Sequence, residues 1–248
     1  MQKAKFRLWA VGLWLIIWQL AAMAVGQDFL LASPIDTLIR FFELAVTAQF
    51  WRAALFSLLR ILLGFLLGVF CGTLLAALAA RFRAAEELIA PLQAVVRAIP
   101  VASFVVVALI WIPSKNLSVL ITFLIVCPLI YGAALSEIRR CDSRMIEMAR
   151  LFGMTVRRRL IYVYALPAMK GFSAACATAM GLAWKSGVAA ELIAIPGGSI
   201  GEKLYQAKVY LMTGDLFAWT LLIVLLSTAC ARIFAAGLNA LAGRLERM

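Results

Sequence analysis

AALFSLLRILLGFLLGVFCGTLLAALAA, residues Ala53–Ala80, decides the fold class. One charge, Arg60, interrupts this apolar run. Wound as an α-helix at ~1.5 Å per residue, it is about 42 Å long and exceeds the ~30 Å hydrocarbon core of a bilayer. The rest of the chain has the same character. Of 248 residues, 65% are hydrophobic and 15% charged, and the mean hydropathy is +0.99. Soluble domains are ~45–50% apolar and ~25% charged. There is too little polar surface here to face water all round. An ordinary soluble enzyme, a disordered chain and a secreted disulfide scaffold are excluded. An all-α polytopic membrane protein remains.

Working outward from this run, five more segments meet the ~20-residue requirement for a span. They are Leu8–Val25, Leu88–Ile112, Leu117–Ser136, a stretch from about Leu160 to Ala183, and Leu216–Leu241. Pro91, Pro100, Pro128 and Pro167 fall within them, which spanning helices tolerate when neighbours satisfy the freed carbonyls. The first segment also has signal-peptide features: a basic start and Ala22-Met23-Ala24 before Gly26. Its length and Trp9, Trp14 and Trp18 favour a retained helix. Residues 1–30 are therefore expected to hold a first transmembrane helix, and 31–248 the main transmembrane domain.

Charge orients the spans. There are 24 Lys plus Arg against 12 Asp plus Glu, a net +12. Alternate loops carry Lys3, Lys5 and Arg7; Arg81 and Arg83; Arg139, Arg140, Arg144, Arg150 and Arg157-Arg158-Arg159; and Arg244 and Arg247. The opposite set holds mainly Arg40, Arg52, Lys115, Lys203 and Lys208. The positive-inside bias puts both termini in the cytoplasm, as six spans require. The basic excess thus belongs to the lipid bilayer and its inner face, with no nucleic acid partner. The chain has no histidine, and Cys71, Cys127, Cys141, Cys176 and Cys230 lack ligand spacing, so no metal site is expected.

Two outer stretches do not span. Ser33-Pro34 opens an amphipathic helix with Ile35, Leu38, Ile39, Phe42 and Val46 on one face, suited to lie in the interface. Pro196-Gly197-Gly198-Ser199-Ile200-Gly201 makes a turn before a short helix over Glu202–Tyr210. It is no phosphate loop: no strand precedes it and no Gly-Lys-Ser/Thr follows. Within the second span, Gly64, Gly68 and Gly72 form a smooth stripe for close helix approach, either inside one chain or between two copies. No internal sequence repeat supports a duplicated secondary transporter.

The inner loop between the fourth and fifth spans is the longest, and reads Cys141-Asp142-Ser143-Arg144-Met145-Ile146-Glu147-Met148-Ala149-Arg150-Leu151-Phe152-Gly153-Met154-Thr155. Asp142 or Ser143 suits a helix N-cap. Met145, Met148 and Phe152 share a face, with Leu151 beside them. Glu147 and Arg150 are spaced to pair at i,i+3. Gly153 suits the left-handed position past a helix end. Thr155 suits the cap of the next helix, which carries Arg157-Arg158-Arg159. The motif is helix, glycine bend, helix. Its apolar face fits the lipid surface and a groove on a soluble partner equally well.

Glu147-Met148-Ala149, with Gly153 four residues beyond Ala149 and Leu166-Pro167 further on, resembles the Glu-Ala-Ala loop of ABC importer permeases. Other segments are similar to the nitrate/sulfonate/taurine-type permeases of that family. These are Leu31-Ala32-Ser33-Pro34; Ser57-Leu58-Leu59-Arg60 with Gly64-Phe65 and Gly68; Pro91 with Val96-Arg97-Ala98-Ile99-Pro100; and Trp184 with Ala189-Ala190-Glu191 and Gly198-Ser199-Ile200-Gly201. The resemblance spans roughly residues 30–245 in the family's order. It departs at Met148 (usually Ala), in a one-residue-longer gap before Leu166-Pro167, at Val106-Val107 and at Trp111-Ile112-Pro113.

The resemblance implies a type I importer permease fold in a bacterial cytoplasmic membrane. It implies a coupling loop at about 137–160 in which Arg144, Met145, Glu147, Met148, Ala149, Arg150, Phe152, Gly153 and Met154 meet a cytoplasmic ABC ATPase dimer. A second copy of the chain and an extracytoplasmic substrate-binding protein are the other implied partners. The chain itself would bind no cofactor and catalyse nothing, ATP and Mg being held by the ATPase. Charged and polar residues in or near the spans mark a candidate path: Arg60, Arg97, Ser103, Trp184, Lys185 and Glu191. Lys170 and Arg232 are placed to snorkel to the inner face, and Arg60 and Glu191 to pair. Arg97 either faces an anion or ties helices through carbonyls or a carboxylate. Cationic lining favours an anionic solute such as a sulfonate, nitrate, taurine or bicarbonate. A vitamin precursor such as a thiamine pyrimidine is the alternative cargo. An autonomous channel or secondary transporter gives no reason for the helix–glycine–helix loop, and a membrane enzyme lacks convergent catalytic groups.

Overall fold

The computed structural model describes residues 8–27, 30–141 and 143–245. The described residues form helices and connecting turns: α1 (Leu8–Val25), α2 (Pro34–Ala45), α3 (Ala48–Arg81), α4 (Arg83–Ala98), α5 (Val101–Ala108), α6 (Ser114–Arg139), α7 (Ser143–Leu151), α8 (Val156–Arg159), α9 (Leu166–Ala194), α10 (Ile200–Val209) and α11 (Thr213–Leu245). A π-helical turn, Leu160–Ala165, joins α8 to α9.

Three of the expected spans, α3, α6 and α11, are single helices long and apolar enough to cross a bilayer. The other three are not of that kind. α1 is apolar but short. α9 is long, but rich in Ala, Gly and Ser and carries Lys170, Lys185 and Glu191; it is the hub on which α3, α5, α6, α10 and α11 pack. The expected span Leu88–Ile112 is not one straight helix: it is α4 and α5, a pair apolar enough together to make one span but bent by 98°. Ile99 (φ −72°, ψ 124°) and Pro100 (φ −63°, ψ 125°) are both extended. Pro100 has no N–H for the ladder, and its ring turns the preceding residue away from helix. Pro91 and Pro128, by contrast, sit inside continuous helices.

The α3–α6 pairing rests on the glycine stripe. A Cβ on Gly64 would stand 2.5 Å from the Val119 carbonyl oxygen, one on Gly68 2.7 Å from Val126 Cβ, and one on Gly72 2.7 Å from the Cys127 carbonyl oxygen. The stripe is therefore spent on α6 of the same chain. Behind it, Ile61, Phe65, Val126, Ile130, Met180 and Trp184 form the core with Phe50 and Trp219. Phe50 and Trp219 stack at 4.8 Å between centroids. Full burial of one such side chain contributes about 1.5–3 kcal/mol relative to water; against lipid, shape-matched packing does this work.

Helix α2 starts as the sequence requires. Ser33 is the N-cap, its Oγ accepting from the Asp36 N–H at 3.1 Å, and Pro34 opens the helix. Ile35, Leu38, Ile39, Phe42 and Val46 are exposed. Arg40 anchors α2 to α11 by donating from Nε and Nη2 to the two Asp215 carboxylate oxygens, and it bonds Glu43 at 2.8 Å. Those bonds, Asp215 first and Glu43 second, hold its guanidinium charged well beyond the ordinary arginine range.

The π-turn has a local cause. Pro167 cannot donate to the Val163 carbonyl four residues back. That carbonyl instead receives the Cys141 thiol at 3.4 Å, and the Leu166 N–H reaches back to Ile161. Burial, and then Glu137, pushes the Cys141 thiol above its ordinary range. Helical backbone thus runs from Val156 to Ala194 around a proline.

Candidate functional site

The loop between α6 and α9 folds as helix α7, a left-handed Gly153 (φ +65°) and then α8. The Phe152 N–H bonds the Met148 carbonyl, and the Met154 N–H bonds the Ala149 carbonyl, both at 3.0 Å. The second bond closes six residues on one, the Schellman ending that a glycine just past the helix permits. Asp142, one of the expected caps, and the terminal basic residues Lys3, Lys5, Arg7 and Arg247 lie outside the described residues. So do the side chains of Ser143, Arg150 and Arg157, and with them the expected Glu147–Arg150 pair.

α7 presents an apolar face to the surroundings. Ala149, 3% exposed, is its foot on the molecule. Met145, Met148, Leu151 (87% exposed) and Phe152 (80%) point away, with Glu147 exposed among them. Met154 is half-buried, and the space around Gly153 is open on the side where a Cβ would stand. A nine-residue helix with so much exposed Met, Leu and Phe cannot be held by its own packing. Such an exposed apolar patch is of the kind that marks an interaction surface. Next to it a polar cleft is lined by Glu137, Arg140, Cys141, Pro167 and Lys170.

The six candidate path residues divide. Arg97, Ser103 and Lys185 are exposed. Arg97 Nη2 also donates to the Pro128 carbonyl of α6 at 2.7 Å, so it ties α4 to α6 through a carbonyl. α5, which carries Ser103, rests on α9 through Val105, Ala108 and Ala190. Trp184 is 1% exposed and belongs to the core. Glu191 is likewise 1% exposed, and its expected pairing with Arg60 is corrected. Glu191 Oε2 accepts from Ser57 Oγ at 2.6 Å. Arg60 donates to the Lys115 carbonyl and covers the Phe56 ring at 3.6 Å. Spacing placed both charges near the outer end, but helix phase turns Glu191 into the α3–α9 seam. Lys170 and Arg232 are exposed.

Sequence reasoning missed the polar junction around Glu191, formed by Ser57, Ser199, Ile200 and Gly201. The available signal was Ser57 inside an otherwise apolar run and Gly198-Ser199-Ile200-Gly201 soon after Glu191. A second cleft, between α2, the start of α3 and α10, is lined by Arg40, Gln49, Phe50, Lys203, Gln206 and Tyr210. Among the described residues no cluster of His, Cys, Asp and Glu is arranged to hold a metal.

Comparisons with known proteins bear on this architecture. The family model for the binding-protein-dependent transport system inner membrane component matches residues 64–247. The riboflavin transport system permease protein RibX of Chloroflexus aurantiacus is 32% identical over 240 residues, covering 94% of this chain and 85% of that protein. The putative aliphatic sulfonates transport permease protein SsuC of Bacillus subtilis is 24% identical, covering 82% and 74%. Its namesake in Escherichia coli is 27% identical, covering 79% and 75%. A helical chain with three helices long and apolar enough to span a bilayer, a helix–glycine–helix loop and a match over three-quarters of its length belongs to the family of binding-protein-dependent transport system inner membrane components, the permease subunits of ABC importers.

Proposed function

We propose that two copies of this chain form the path of an ATP-driven importer in the cytoplasmic membrane, crossing it with the six segments read from hydropathy and with both termini inside. α7 is the helix that seats in a cleft of the ATPase subunit. One observation carries this reading: an exposed Met145, Met148, Leu151 and Phe152 face beside Glu147, on a helix stopped by Gly153. Apolar side chains give the docked helix its buried area, and flexible methionines adapt to the groove. ATP and Mg stay on the ATPase, while a binding protein hands solute to the outer face. Closure of the ATPases displaces α7, and α8 and α9 continue from it as one helical run. The energy of ATP binding thereby biases inward- and outward-facing states.

The exposed cations Arg97 and Lys185 support a small anionic cargo. A second reading has its own support: the elbow between α4 and α5 holds an apolar pocket walled by Val96, Ile99, Phe104, Ile121 and Leu124. That wall suits an aromatic ring, and one relative is named for riboflavin.

The test is purification in mild detergent together with ATP-dependent uptake. The parent chain is expected to retain a P-loop ATPase. Gly153→Asp, and Glu147→Arg with Ala149→Arg, are expected to lose it and to lose uptake at least ~10-fold, while still reaching the membrane. Normal uptake by both variants sinks the coupling assignment. Transport of an organosulfonate but not of a flavin, or the reverse, decides between the two cargo classes.

A further inference from the structure

Near the C-terminal end of α9, an ionisable residue is buried in the protein interior. Glu191 is 1% exposed, and Ser57, Ser199 and Ile200 are fully buried around it. α10 begins at this point, and its first free amides are taken up by side chains. The Ile200 N–H donates to Ser57 Oγ at 2.9 Å, the Gly201 N–H to Glu191 Oε2 at 3.3 Å, and the Glu202 N–H to Ser199 Oγ at 3.0 Å. Ser57 Oγ in turn donates to Glu191 Oε2 at 2.6 Å. Three elements, α3, α9 and α10, meet on one carboxylate oxygen. Its other oxygen, Oε1, is buried near Ser118 Oγ of α6, and in this geometry neither atom makes a full hydrogen bond.

The backbone is bent to serve this junction. α9 ends at Ile195 in the left-handed region (φ 47°), strained for a β-branched residue. Gly201 lies so close to the Cβ and backbone of Glu191 that no side chain fits there. A buried carboxylate is a poor device for stability alone, because desolvation offsets most of its attraction. What these bonds supply is geometry. They set where α10 stands, and α10 brings Lys203, Gln206 and Tyr210 to the second cleft opposite Arg40 and Gln49.

We propose that Glu191 is a positioning residue that clamps α10 to α3 and α9, and that it acts through its shape and its acceptor oxygen, not as a charge in the solute path. Neither bond to Oε2 requires a negative charge. A glutamine keeps that acceptor and turns its amide N–H toward Ser118 Oγ. A charge that met solute would behave differently, since its amide would be as defective as its truncation.

The experiment places cysteines at Gln49 and Gln206, on opposite walls of the cleft, in a chain whose five native cysteines are replaced. A short bis-maleimide reports whether α10 holds its place, whether or not the chain carries solute; uptake reports the consequence. Glu191→Gln is expected to keep both crosslinking and uptake within ~2-fold of the parent. Glu191→Ala is expected to lower both at least ~5-fold with the ATPase still bound. Should Glu191→Ala fail to reach the membrane, Ser57→Ala removes the same bonds more gently and is expected to lower crosslinking ~2–5-fold. The proposal is overturned if Glu191→Gln loses uptake as fully as Glu191→Ala, or if neither Glu191→Ala nor Ser57→Ala changes crosslinking.

Discussion

Glycines at Gly64, Gly68 and Gly72 show how far single residues determine this molecule. Each stands where even a methyl group would enter α6, so side-chain absence is what brings the two helices together. Gly68→Val is expected to force α3 from α6 at a cost of about 1–3 kcal/mol, as overpacking does. The measurement is thermal unfolding in detergent, with Gly68→Ala as the milder step. A Gly68→Val melting curve like the parent's would show that this face of α3 is free in the membrane. Arg97 and Glu191 make the opposite point. Their charge was evident from sequence, but their partners are a carbonyl on α6 and a serine on α3, reached only through the crossing of helices.

Among the elements, the break between α4 and α5 separates what hydropathy sees from what the backbone does. Composition reads Leu88–Ile112 as one apolar span, whereas Pro100 divides it with a 98° bend. Pro91 and Pro128 are equally visible in sequence and break nothing, so a proline alone does not announce an elbow. Pro100→Ala is expected to restore the ladder and straighten the pair. Spin labels at Leu92 and Val106 would then separate toward ~21 Å, the rise of fourteen helical residues. Double electron–electron resonance in nanodiscs reads that distance. No lengthening would mean that packing of Val105 and Ala108 on α9 holds the bend without the proline. α7 is the element best read in advance: its bounds, its glycine stop and its apolar face all follow from local spacing. The partner that covers the face cannot be inferred from spacing.

For the whole molecule, α9 is the hub, yet one side of it carries the exposed Lys185, with Arg97 and Ser103 exposed on α4 and α5. Polar groups on an otherwise apolar membrane body are costly against lipid, and we expect a second copy to cover them. Native mass spectrometry from nanodiscs is expected to give two copies per assembly. A single copy that still supports uptake would reject that arrangement. What the sequence determined by itself was the medium, the helical class and the helix–glycine–helix loop, because these depend on composition, period and capping over a few residues. Tertiary structure alone decided that the glycine stripe meets α6, that Pro100 is an elbow, and that Glu191 accepts from Ser57 and the Gly201 N–H in place of pairing with Arg60. Each of these depends on which faces of distant helices meet, and helix phase and crossing are set by packing rather than by any local pattern.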